Sequence, residues 1–489
     1  MLLTPAEMGT ADRLAAESGI DSFSLMQRAG EAVAATVLRH FPTALRALVL
    51  CGPGNNGGDG YIAARALDAA GVLVLLFHAG DPARLTGDAA RARRACPIES
   101  RPIADCRPER GDVIVDALFG AGLARELSED IQALIGRADR CPVVAVDLPS
   151  GINGLTGKAE GKAFSAARTV TFMAAKPGHY LLPGRVHCGA IEVFDIGIPA
   201  RILAEVAGAH RLNEPALWAS SLPVPGVDAH KFKRGHLGVF SGGASASGAA
   251  RLAAFAGLKT GAGLVTIAAP PSAMLVNATH LTAIMLKPVS DLADLEDWAS
   301  DRRLTAFVLG PGFGVGERAR AFAGALAGRP LVLDADGISS FAEAPDALFT
   351  RLADHPVSWV LTPHEGEFAR LFADIAGDET LGKTEKALKA ARRAHAVVLY
   401  KGADTVIAAP DGRIAINVNA PPFLATAGSG DVLSGIIGGL LAEGVPAFEA
   451  AAAGAWLHGE AGNQAGEGLT AEDLPHHLAS LRDIAERGR

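Results

Sequence analysis

The stretch ALVLCGPGNNGGDGYIAARALDAAG, Ala47 to Gly71, decides how the first half of the chain folds. Its first five residues form a continuous apolar run, which is typical of a strand buried on both faces. A glycine-rich turn and an alanine-rich helical stretch follow, and this order predicts a parallel α/β sheet. Five glycines in Gly52–Gly60 would let N–H groups at the helix start approach an anion. The usual dinucleotide fingerprint G-x-G-x-x-G is absent, and a turn built from good turn formers is the alternative interpretation.

The same alternation continues through the chain. The other apolar runs lie at residues 71–80, 112–120, 142–151, 168–178 and 190–199, and then at 236–243, 263–270, 306–314, 330–338, 358–367 and 396–409. We therefore predict two three-layer α/β domains with mostly parallel sheets. The proline-containing segment His210–His236 separates the two strings of runs, so we expect one domain at 1–215 and another at 225–489.

The composition excludes several classes of protein. The 489 residues are 49% hydrophobic and 20% charged, as in globular proteins. A net charge of −8 argues against nucleic acid or an anionic membrane as the main partner. No apolar run is long enough to cross a bilayer, and the first residues do not have the pattern of a signal peptide. Five cysteines without a C-x-x-C motif argue against a disulfide framework, so we expect a cytoplasmic protein.

Polar side chains follow several strands of the first half. Asn56 lies after the first predicted strand, Asp116 and Asp147 end two later ones, and Ser150 comes shortly after Asp147. Because parallel strands end at one sheet edge, these oxygens could form a cation site, and a site charge near −1 favours a monovalent ion. Helix capping or a turn is the alternative role for each acid alone. Lys176 ends a further strand and could pair with a substrate phosphate or a carboxylate, or lie in solvent.

The sharpest motif of the second half is AGSGD, Ala427–Asp431, which opens an apolar helix. Its N–H groups would point at a phosphoryl group on the positive end of that helix. Asp431, in the first helical turn, could take the proton from an attacking hydroxyl. A merely stabilising acid at the helix start is the alternative.

Three further motifs surround this one. TPHEGE places His364 in a loop after a strand, VLYKGADT belongs to a predicted β-hairpin at 397–412, and VLGPGFG is another glycine-rich strand end. Asp334 and Asp336 also follow a strand and could contact substrate or cap a helix.

The first-half motifs CGPGNNGGDG, VIVDALFGAGL and AVDLPSG resemble the NAD(P)H-hydrate epimerase family, the YjeF N-terminal domain, from about residue 12 to 198. The resemblance implies a Rossmann-like domain that interconverts the R and S hydrates at C6 of the nicotinamide ring of NADHX and NADPHX. It implies K⁺ bound by Asn56, Asp116 and Ser150. The substrate-binding residues it implies are Asn55, Asn56, Gly57, Gly58, Asp59, Gly120, Ala121, Gly122, Leu123, Ala124, Arg125, Glu126 and Asp147. We expect Asp147 to transfer the proton, because a partly desolvated carboxyl group has a raised pKa.

The second-half motifs TPHEGE, KGADT and GSGD resemble the ribokinase-like superfamily, and within it the NAD(P)H-hydrate dehydratases, from about residue 231 to 477. The resemblance implies removal of water from the S hydrate with conversion of ADP, or of ATP in eukaryotes, and Mg²⁺ would neutralise the nucleotide phosphates. The nucleotide contacts it implies are Lys401, Gly402, Ala403, Asp404, Thr405 and Gly430. The hydrate contacts it implies are Ala250, Gly312, His364 and Asp431, with Asp431 as the catalytic base.

Two alternatives stay open at this point. The second half could be a vitamin or sugar kinase of the same superfamily, for instance one for hydroxymethylpyrimidine. The first half could be a binding module without catalytic activity. We also expect a homo-oligomer.

Overall fold

The computed structural model describes residues 1–123, 125–224, 226, 228–354 and 358–487. Contacts between residues divide the chain into two compact units, Met1–His210 and Arg211–Arg489. We call these the first unit and the second unit. Each is built on a sheet whose neighbouring central strands run parallel.

The first unit contains a seven-stranded parallel sheet in the order β3-β2-β1-β4-β5-β6-β7. Its strands are β1 (Arg46–Cys51), β2 (Val74–His78), β3 (Ser100–Pro102), β4 (Asp112–Ala117), β5 (Val143–Val146), β6 (Arg168–Phe172) and β7 (Ala190–Phe194). Its helices are α1 (Pro5–Glu17), α2 (Ser22–His40), α3 (Asn55–Ala69), α4 (Gly87–Ala95), α5 (Glu129–Ile135), α6 (Gly184–His187) and α7 (Ala200–Val206). The order reverses between β1 and β4, as in doubly wound dinucleotide-binding folds, so the Rossmann-like prediction is confirmed.

The second sheet has ten strands in the order β11-β10-β9-β12-β13-β14-β15-β16-β17-β8. They are β8 (His210–Leu212), β9 (His236–Phe240), β10 (Leu264–Ala269), β11 (Met285–Pro288), β12 (Ala306–Leu309), β13 (Leu331–Leu333), β14 (Trp359–Leu361), β15 (Val397–Tyr400), β16 (Val406–Ala408) and β17 (Ile414–Ile416). The seven strands from β11 to β15 in this order are parallel, and β15, β16 and β17 pair antiparallel.

The helices of the second unit lie between these strands and after them. They are α8 (Gly248–Thr260), α9 (Pro271–Ala278), α10 (Leu292–Ala299), α11 (Glu317–Ala325), α12 (Asp336–Ser339), α13 (Pro345–Asp354), α14 (Glu365–Leu371), α15 (Ala373–Gly377), α16 (Lys383–Ala394), α17 (Ser429–Ala442), α18 (Ala447–Ala465) and α19 (Leu481–Arg487). The predicted hairpin is confirmed as β15 and β16. No helix among the described residues is both long and apolar enough to cross a membrane.

Four glycines of the turn after β1 are required by close packing within the protein. A Cβ on Gly52 would lie 1.7 Å from the carbonyl oxygen of Leu118, and a Cβ on Gly57 would lie 2.0 Å from that of Gly52. A Cβ on Gly60 would lie 2.7 Å from that of Ala117. Of the five glycines in this turn, Gly54 alone has open space around its missing Cβ. The predicted approach of the N–H groups of this turn to an anion stays a prediction.

Small residues also bring α8 and α17 into close contact in the second unit. A Cβ on Gly435 would lie 2.1 Å from the backbone oxygen of Ala253, and a Cβ on Gly439 would lie 2.8 Å from that of Gly257. Such distances exclude any larger side chain at these crossings. Because the chain has few aromatic side chains to fill its interior, the two helices reach close packing by bringing their backbones together.

The boundary between the units lies earlier than the sequence predicts. Residues 211–224 belong to the second unit, because the N–H of Asn213 donates to the carbonyl oxygen of Ile416 (2.8 Å) and Trp218 is buried in its core. The indole N–H of Trp218 also donates to the Asn213 side chain (3.1 Å). The proline-containing segment is therefore part of the packed second unit as well as the connection that follows the first.

We predict that Gly52→Ala destabilises the first unit by about 3 kcal/mol, the upper end of the usual overpacking cost, because its new methyl group meets backbone. All four tryptophans lie in the second unit. The urea midpoint measured by far-ultraviolet circular dichroism should therefore move to a lower concentration. The midpoint measured by tryptophan fluorescence should not change. Gly54→Ala is the matched control and should leave both curves in place. Equal stability of the two variants would contradict the packing argument.

Candidate functional site

A cavity of about 730 Å³ opens in the first unit beyond the ends of β1 and β4. This is the point at which the strand order reverses, where ligands of open α/β sheets bind. The N-terminal turn of α3 forms one wall, the loop after β4 another, and side chains of α1 and α2 face them. The polar and charged residues that line it include Asp12, Ser22, Asn55, Asn56, Asp59, Asp88, Arg125, Asp147 and Lys176.

Asp147, which follows β5, accepts hydrogen bonds at both oxygens of its carboxylate. Its Oδ1 accepts from Lys176 Nζ (2.6 Å) and Thr171 Oγ1 (2.9 Å), and its Oδ2 accepts from the N–H of Ala121 (2.9 Å). His179 Nε2 lies 2.8 Å from its carbonyl oxygen. The backbone of Asp147 is left-handed, with φ of 66°. The surrounding contacts fix this uncommon conformation.

The expectation of a raised pKa for Asp147 is wrong. Burial alone would raise the pKa of this carboxyl group, but the buried Lys176 ammonium and the hydrogen bonds lower it below its usual range. The side chain of Lys176 is only 2% exposed. Of the three roles open for Lys176 from the sequence, the structure selects the carboxylate partner. Asp147 is therefore a fixed anion.

Asp116, near the end of β4, and Ser150, in the loop after β5, are in contact at the same edge of the sheet. The Ser150 hydroxyl and N–H both donate to the Asp116 carboxylate, each at 2.7 Å, and the N–H of Phe119 donates to Ser150 Oγ (2.9 Å). Burial raises the pKa of Asp116 to about 6. Asn56 lies against the loop after β4, since a Cβ on Gly120 would lie 3.2 Å from its Oδ1. Carboxylate, hydroxyl and amide oxygens are ligands that suit a cation such as K⁺, which would also balance the buried charge of Asp116.

Asp59 is the fifth residue of α3, one turn after Asn55, and lines the cavity. Burial raises its pKa well above the usual range, and the negative charges of Asp147 and Asp12 add to this effect. Burial also raises the pKa of Asp12, which α1 brings to the cavity. This end of the cavity therefore holds one fixed carboxylate–ammonium pair and two carboxyl groups with raised pKa values.

The structure brings most of the predicted first-unit residues to this cavity. Those lining it are Asn55, Asn56, Asp59, Gly120, Ala121, Gly122, Leu123, Arg125 and Asp147. Three other predicted residues are not among those that line the cavity. Gly57 and Gly58 pack against neighbouring residues, and the side chain of Glu126 lies beside Gly161. Ala124 lies outside the described residues.

In the second unit the strand order reverses between β9 and β12, and ligands of open α/β sheets bind beyond the ends of strands at such a point. The loops after these strands touch, since a Cβ on Gly242 would lie 1.9 Å from the carbonyl oxygen of Gly312. Gly312 has a left-handed backbone, with φ of 63°. Ala250, in the first turn of α8, is fully buried at 0% exposure. Its predicted contact with a substrate stays a prediction.

A buried ion pair lies at the same edge, between Lys401 after β15 and Asp334 after β13. Lys401 Nζ is 2.8 Å from Asp334 Oδ1, while Ser434 of α17 donates to Asp334 Oδ2 (2.7 Å). A Cβ on Gly430 would lie 3.8 Å from Lys401 Nζ, so this ammonium stands beside the N-terminus of α17. A helix N-terminus next to a cation is suited to a phosphoryl group.

Asp431 lies in the first turn of α17, as the sequence predicts. Burial and the neighbouring charge of Asp334 raise its pKa to about 6, and Lys401 opposes the shift. A carboxyl group with this pKa can accept a proton near neutral pH and is close to balance between its two forms. The left-handed Gly428, with φ of 84°, starts the helix.

His364 and the KGADT loop occupy defined local structures. His364 caps α14: its Nδ1 accepts from the N–H of Gly366 (3.0 Å), and its Nε2 lies 3.4 Å from Glu367 Oε1. Gly402, Ala403, Asp404 and Thr405 form the turn of the hairpin after Lys401. The Thr405 hydroxyl donates to Gly402 O (2.7 Å) and Asp404 accepts from Lys383 Nζ (2.5 Å). Asp336 accepts from the N–H of Gly314 (2.9 Å) at the start of α12.

Sequence reasoning missed one buried contact beneath the α17 N-terminus. Ser429 Oγ lies 3.0 Å from Nε2 of His458, a residue of α18. Burial lowers the pKa of His458 to about 4, so its ring is neutral at physiological pH. A lone histidine in an alanine-rich helix gives no signal for this role. Ser429 and His458 are 29 residues apart, so the sequence does not indicate that their side chains meet.

Comparison with known proteins assigns a family model to each half. Residues 22–178 match the model described as YjeF-related protein N-terminus, and residues 237–482 match the model described as NAD(P)H-hydrate dehydratase. Among solved structures, the chain is similar to an ADP/ATP-dependent NAD(P)H-hydrate dehydratase from Bacillus subtilis, co-crystallised with ATP and Mg²⁺. The TM-score is 0.47 at 24% identity, over 57% of this chain and 98% of that one.

Curated relatives match along nearly the whole chain. The chain is 36% identical to the bifunctional NAD(P)H-hydrate repair enzyme Nnr of Coxiella burnetii, over 96% of this chain and 97% of that protein. It is 38% identical to the protein of the same name from Moorella thermoacetica, over 99% and 98%. The resemblance seen in the sequence motifs is confirmed, and the single-function kinase alternative is set aside.

We predict that Lys176→Met destabilises the first unit by about 3–5 kcal/mol at neutral pH, because it leaves Asp147 buried without its cation. Folding lowers the pKa of Asp147, so the ion pair stabilises the wild type above the ordinary carboxyl pKa and less as pH falls through the lowered one. The difference between variant and wild type should therefore shrink toward pH 3. Urea unfolding by circular dichroism at several pH values measures it. Lys162→Met, at an exposed position, is the control, and equal losses in both variants would contradict the assignment.

Proposed function

The chain belongs to the family of bifunctional NAD(P)H-hydrate repair enzymes, and we propose from this how its two units divide the work. The protein is an enzyme with an epimerase domain and an ADP/ATP-dependent dehydratase domain. The observation that supports the division is that each half matches its own family model and contains its own sheet with one strand-order reversal. We assign epimerisation of NADHX and NADPHX to the first unit and dehydration of the S epimer to the second. The sequence proposes 1–215 for the epimerase domain and 225–489 for the dehydratase domain, and we assign these activities to the first and second units.

In the first unit, we assign substrate binding to the start of α3 and the loop after β4. The residues are Asn55, Asn56, Gly57, Gly58, Asp59, Gly120, Ala121, Gly122, Leu123, Ala124, Arg125 and Glu126. Asp147 is the proposed catalytic anion. Epimerisation inverts C6, and a hydroxyl leaving that carbon makes the ring cationic because the adjacent ring nitrogen supplies electrons. A fixed carboxylate stabilises such a cation without having to reorient.

We assign a K⁺ ion to Asn56, Asp116 and Ser150. The buried Asp116 carboxylate, in contact with the Ser150 hydroxyl, and the Asn56 side-chain oxygen beside the loop after β4 support this assignment. When bound, the ion would supply positive charge that keeps Asp116 ionised. Asp116 and Ser150 then hold the loop after β4 in the position from which Ala121 contacts Asp147.

In the second unit, the proposed reaction transfers a phosphoryl group from ADP to the C6 hydroxyl, giving AMP. Asp431 takes the hydroxyl proton, phosphate then leaves C6 as the ring nitrogen supplies electrons, and loss of a C5 proton restores the dihydropyridine. N–H groups at the start of α17 and the Lys401 ammonium neutralise the phosphoryl charge. Mg²⁺ bound with the nucleotide would add to this neutralisation.

The remaining contacts of the second unit are assigned in the same way. Gly312 and His364 would contact the hydrate, together with Ala250 through its backbone. Lys401, Gly402, Ala403, Asp404, Thr405 and Gly430 would contact the nucleotide. We place the protein in the cytoplasm, since its cysteine pattern fits a reducing compartment, and a homo-oligomer stays a prediction.

We predict that Asp431→Asn lowers kcat for dehydration of S-NADHX by about 100-fold or more, because the amide cannot accept the proton. In the wild type, kcat should fall as pH drops through about 6, where Asp431 becomes protonated. The variant should lack this acidic limb. The return of reduced nicotinamide absorbance measures both.

Two controls make the Asp431 test specific. Epimerisation by the variant should continue, measured by chromatography of the R and S epimers. AMP binding, measured by calorimetry, should stay within a few-fold of the wild type. A variant with full dehydratase activity would exclude the proposed base.

We predict that K⁺ stabilises the first unit. Replacing choline chloride by KCl at constant ionic strength should raise its unfolding free energy, by about 2.7 kcal/mol when K⁺ is at 100 times its Kd. Circular dichroism should report the shift and tryptophan fluorescence should not. Asp116→Asn should abolish the difference between the salts. Identical unfolding of the wild type in both salts would contradict the K⁺ site.

A further inference from the structure

We propose that Asp59, and not Asp147, is the group that gives and retakes the proton at C6 during epimerisation. This inference rests on the proposed function of the first unit. The sequence resemblance assigns Asp59 only to substrate binding. Asp147 and Asp59 differ in whether a positively charged group pairs with their carboxyl groups.

Asp147 is a poor proton carrier because its carboxylate is committed to other groups. Three donors bind its two oxygens, and one of them is the buried ammonium of Lys176 at 2.6 Å. Protonation of Asp147 would break this ion pair and leave Lys176 charged inside the protein, which is strongly unfavourable. The same contacts make Asp147 well suited to remain an anion throughout the reaction.

Asp59 has the opposite surroundings. Among the described residues it makes no ion pair and no side-chain hydrogen bond, although it lines the cavity from the second turn of α3. Asn56 lies one turn earlier on the same helix, and Gly120 places the loop after β4 against Asp147 and Asn56. Burial without a cation of its own, and the nearby anion Asp147, raise the pKa of Asp59 and so favour its protonated form.

Several charged or titratable groups face Asp59 from the elements around it. They are Cys51 of β1, Asp12 of α1, Asp88 of α4, Arg125 after β4, Asp147 after β5 and Lys176 after β6. After burial itself, the negative charges of Asp147 and then Asp12 contribute most to the raised pKa of Asp59.

The proton balance of the proposed step is closed. The Asp59 carboxyl group gives its proton to the C6 hydroxyl, the C6–O bond breaks, and water departs as the ring nitrogen forms a double bond to C6. The resulting planar iminium lies beside the Asp147 anion. Water then adds to the opposite face of C6 and a proton returns to Asp59, which yields the other epimer. No oxidant or further reactant takes part.

The test is Asp59→Asn in the full chain, which keeps the size and hydrogen bonding of the side chain but removes the proton. Starting from purified R-NADHX, chromatography follows formation of the S epimer with nucleotide omitted. We expect kcat to fall by about 100-fold or more, with KM within a few-fold. Asp68→Asn, at an exposed position later on α3, is the matched control and should keep the wild-type rate.

The outcomes separate this inference from the proposed function. If the wild-type chain does not accelerate epimerisation above the spontaneous rate, the proposed function fails. If the wild type is active and Asp59→Asn retains at least a third of its kcat, the assignment of Asp59 alone is overturned. Circular dichroism of the variant checks that the first unit is folded.

A second variant keeps the inference testable if Asp59→Asn does not fold. Because neutral Asp59 is the active form, wild-type kcat should fall as pH rises through the pKa of this group. Asp12→Asn removes a negative charge that raises this pKa, so the fall should begin at lower pH. An unchanged pH profile in Asp12→Asn would count against Asp59 as the proton carrier.

Discussion

The structure depends on one constraint of parallel sheets, the reversal of strand order. In each unit two neighbouring strands, β1 with β4 and β9 with β12, lead into connections that leave in opposite directions. Ligands of open α/β sheets bind beyond the carboxyl ends of the strands at such a point. The two loops at this point approach so closely that a Cβ would collide with backbone, at Gly52 in the first unit and Gly242 in the second. The polar groups of each candidate site are arranged around this point.

Each candidate site also contains a buried lysine–aspartate pair that spans different strands. Lys176 meets Asp147 in the first unit, and Lys401 meets Asp334 in the second. Burying two charges is costly unless they are paired and hydrogen-bonded, and both pairs are. The pairs fix two carboxylates as anions and leave Asp59 and Asp431 as groups with raised pKa values. In this account, the separation of fixed anions from proton carriers is common to both activities.

Much of this organisation could be predicted from the sequence. Long buried strands have continuous apolar runs, so their number and parallel arrangement were accessible. The short strands β3, β8, β11 and β17 were not, because each has only three or four residues and gives little periodic signal. Of these, β3, β8 and β11 are also partly exposed strands at sheet edges. The motifs also located both candidate sites. They could not show which carboxyl group is neutral, because that depends on Lys176, which is 29 residues from Asp147 in the chain, and on Asp12, which α1 contributes. His458 was missed for the same reason.

The central claim is that one chain converts the unreactive epimer and then dehydrates the product. The most direct measurement gives purified R-NADHX to the intact chain with K⁺, Mg²⁺ and ADP, with ATP in parallel. Reduced nicotinamide absorbance is followed against a control that contains only Asp431→Asn protein. The account predicts full recovery at a rate well above spontaneous epimerisation, with AMP and phosphate formed in equal amounts to NADH when ADP is supplied. Recovery limited to the spontaneous rate would contradict it.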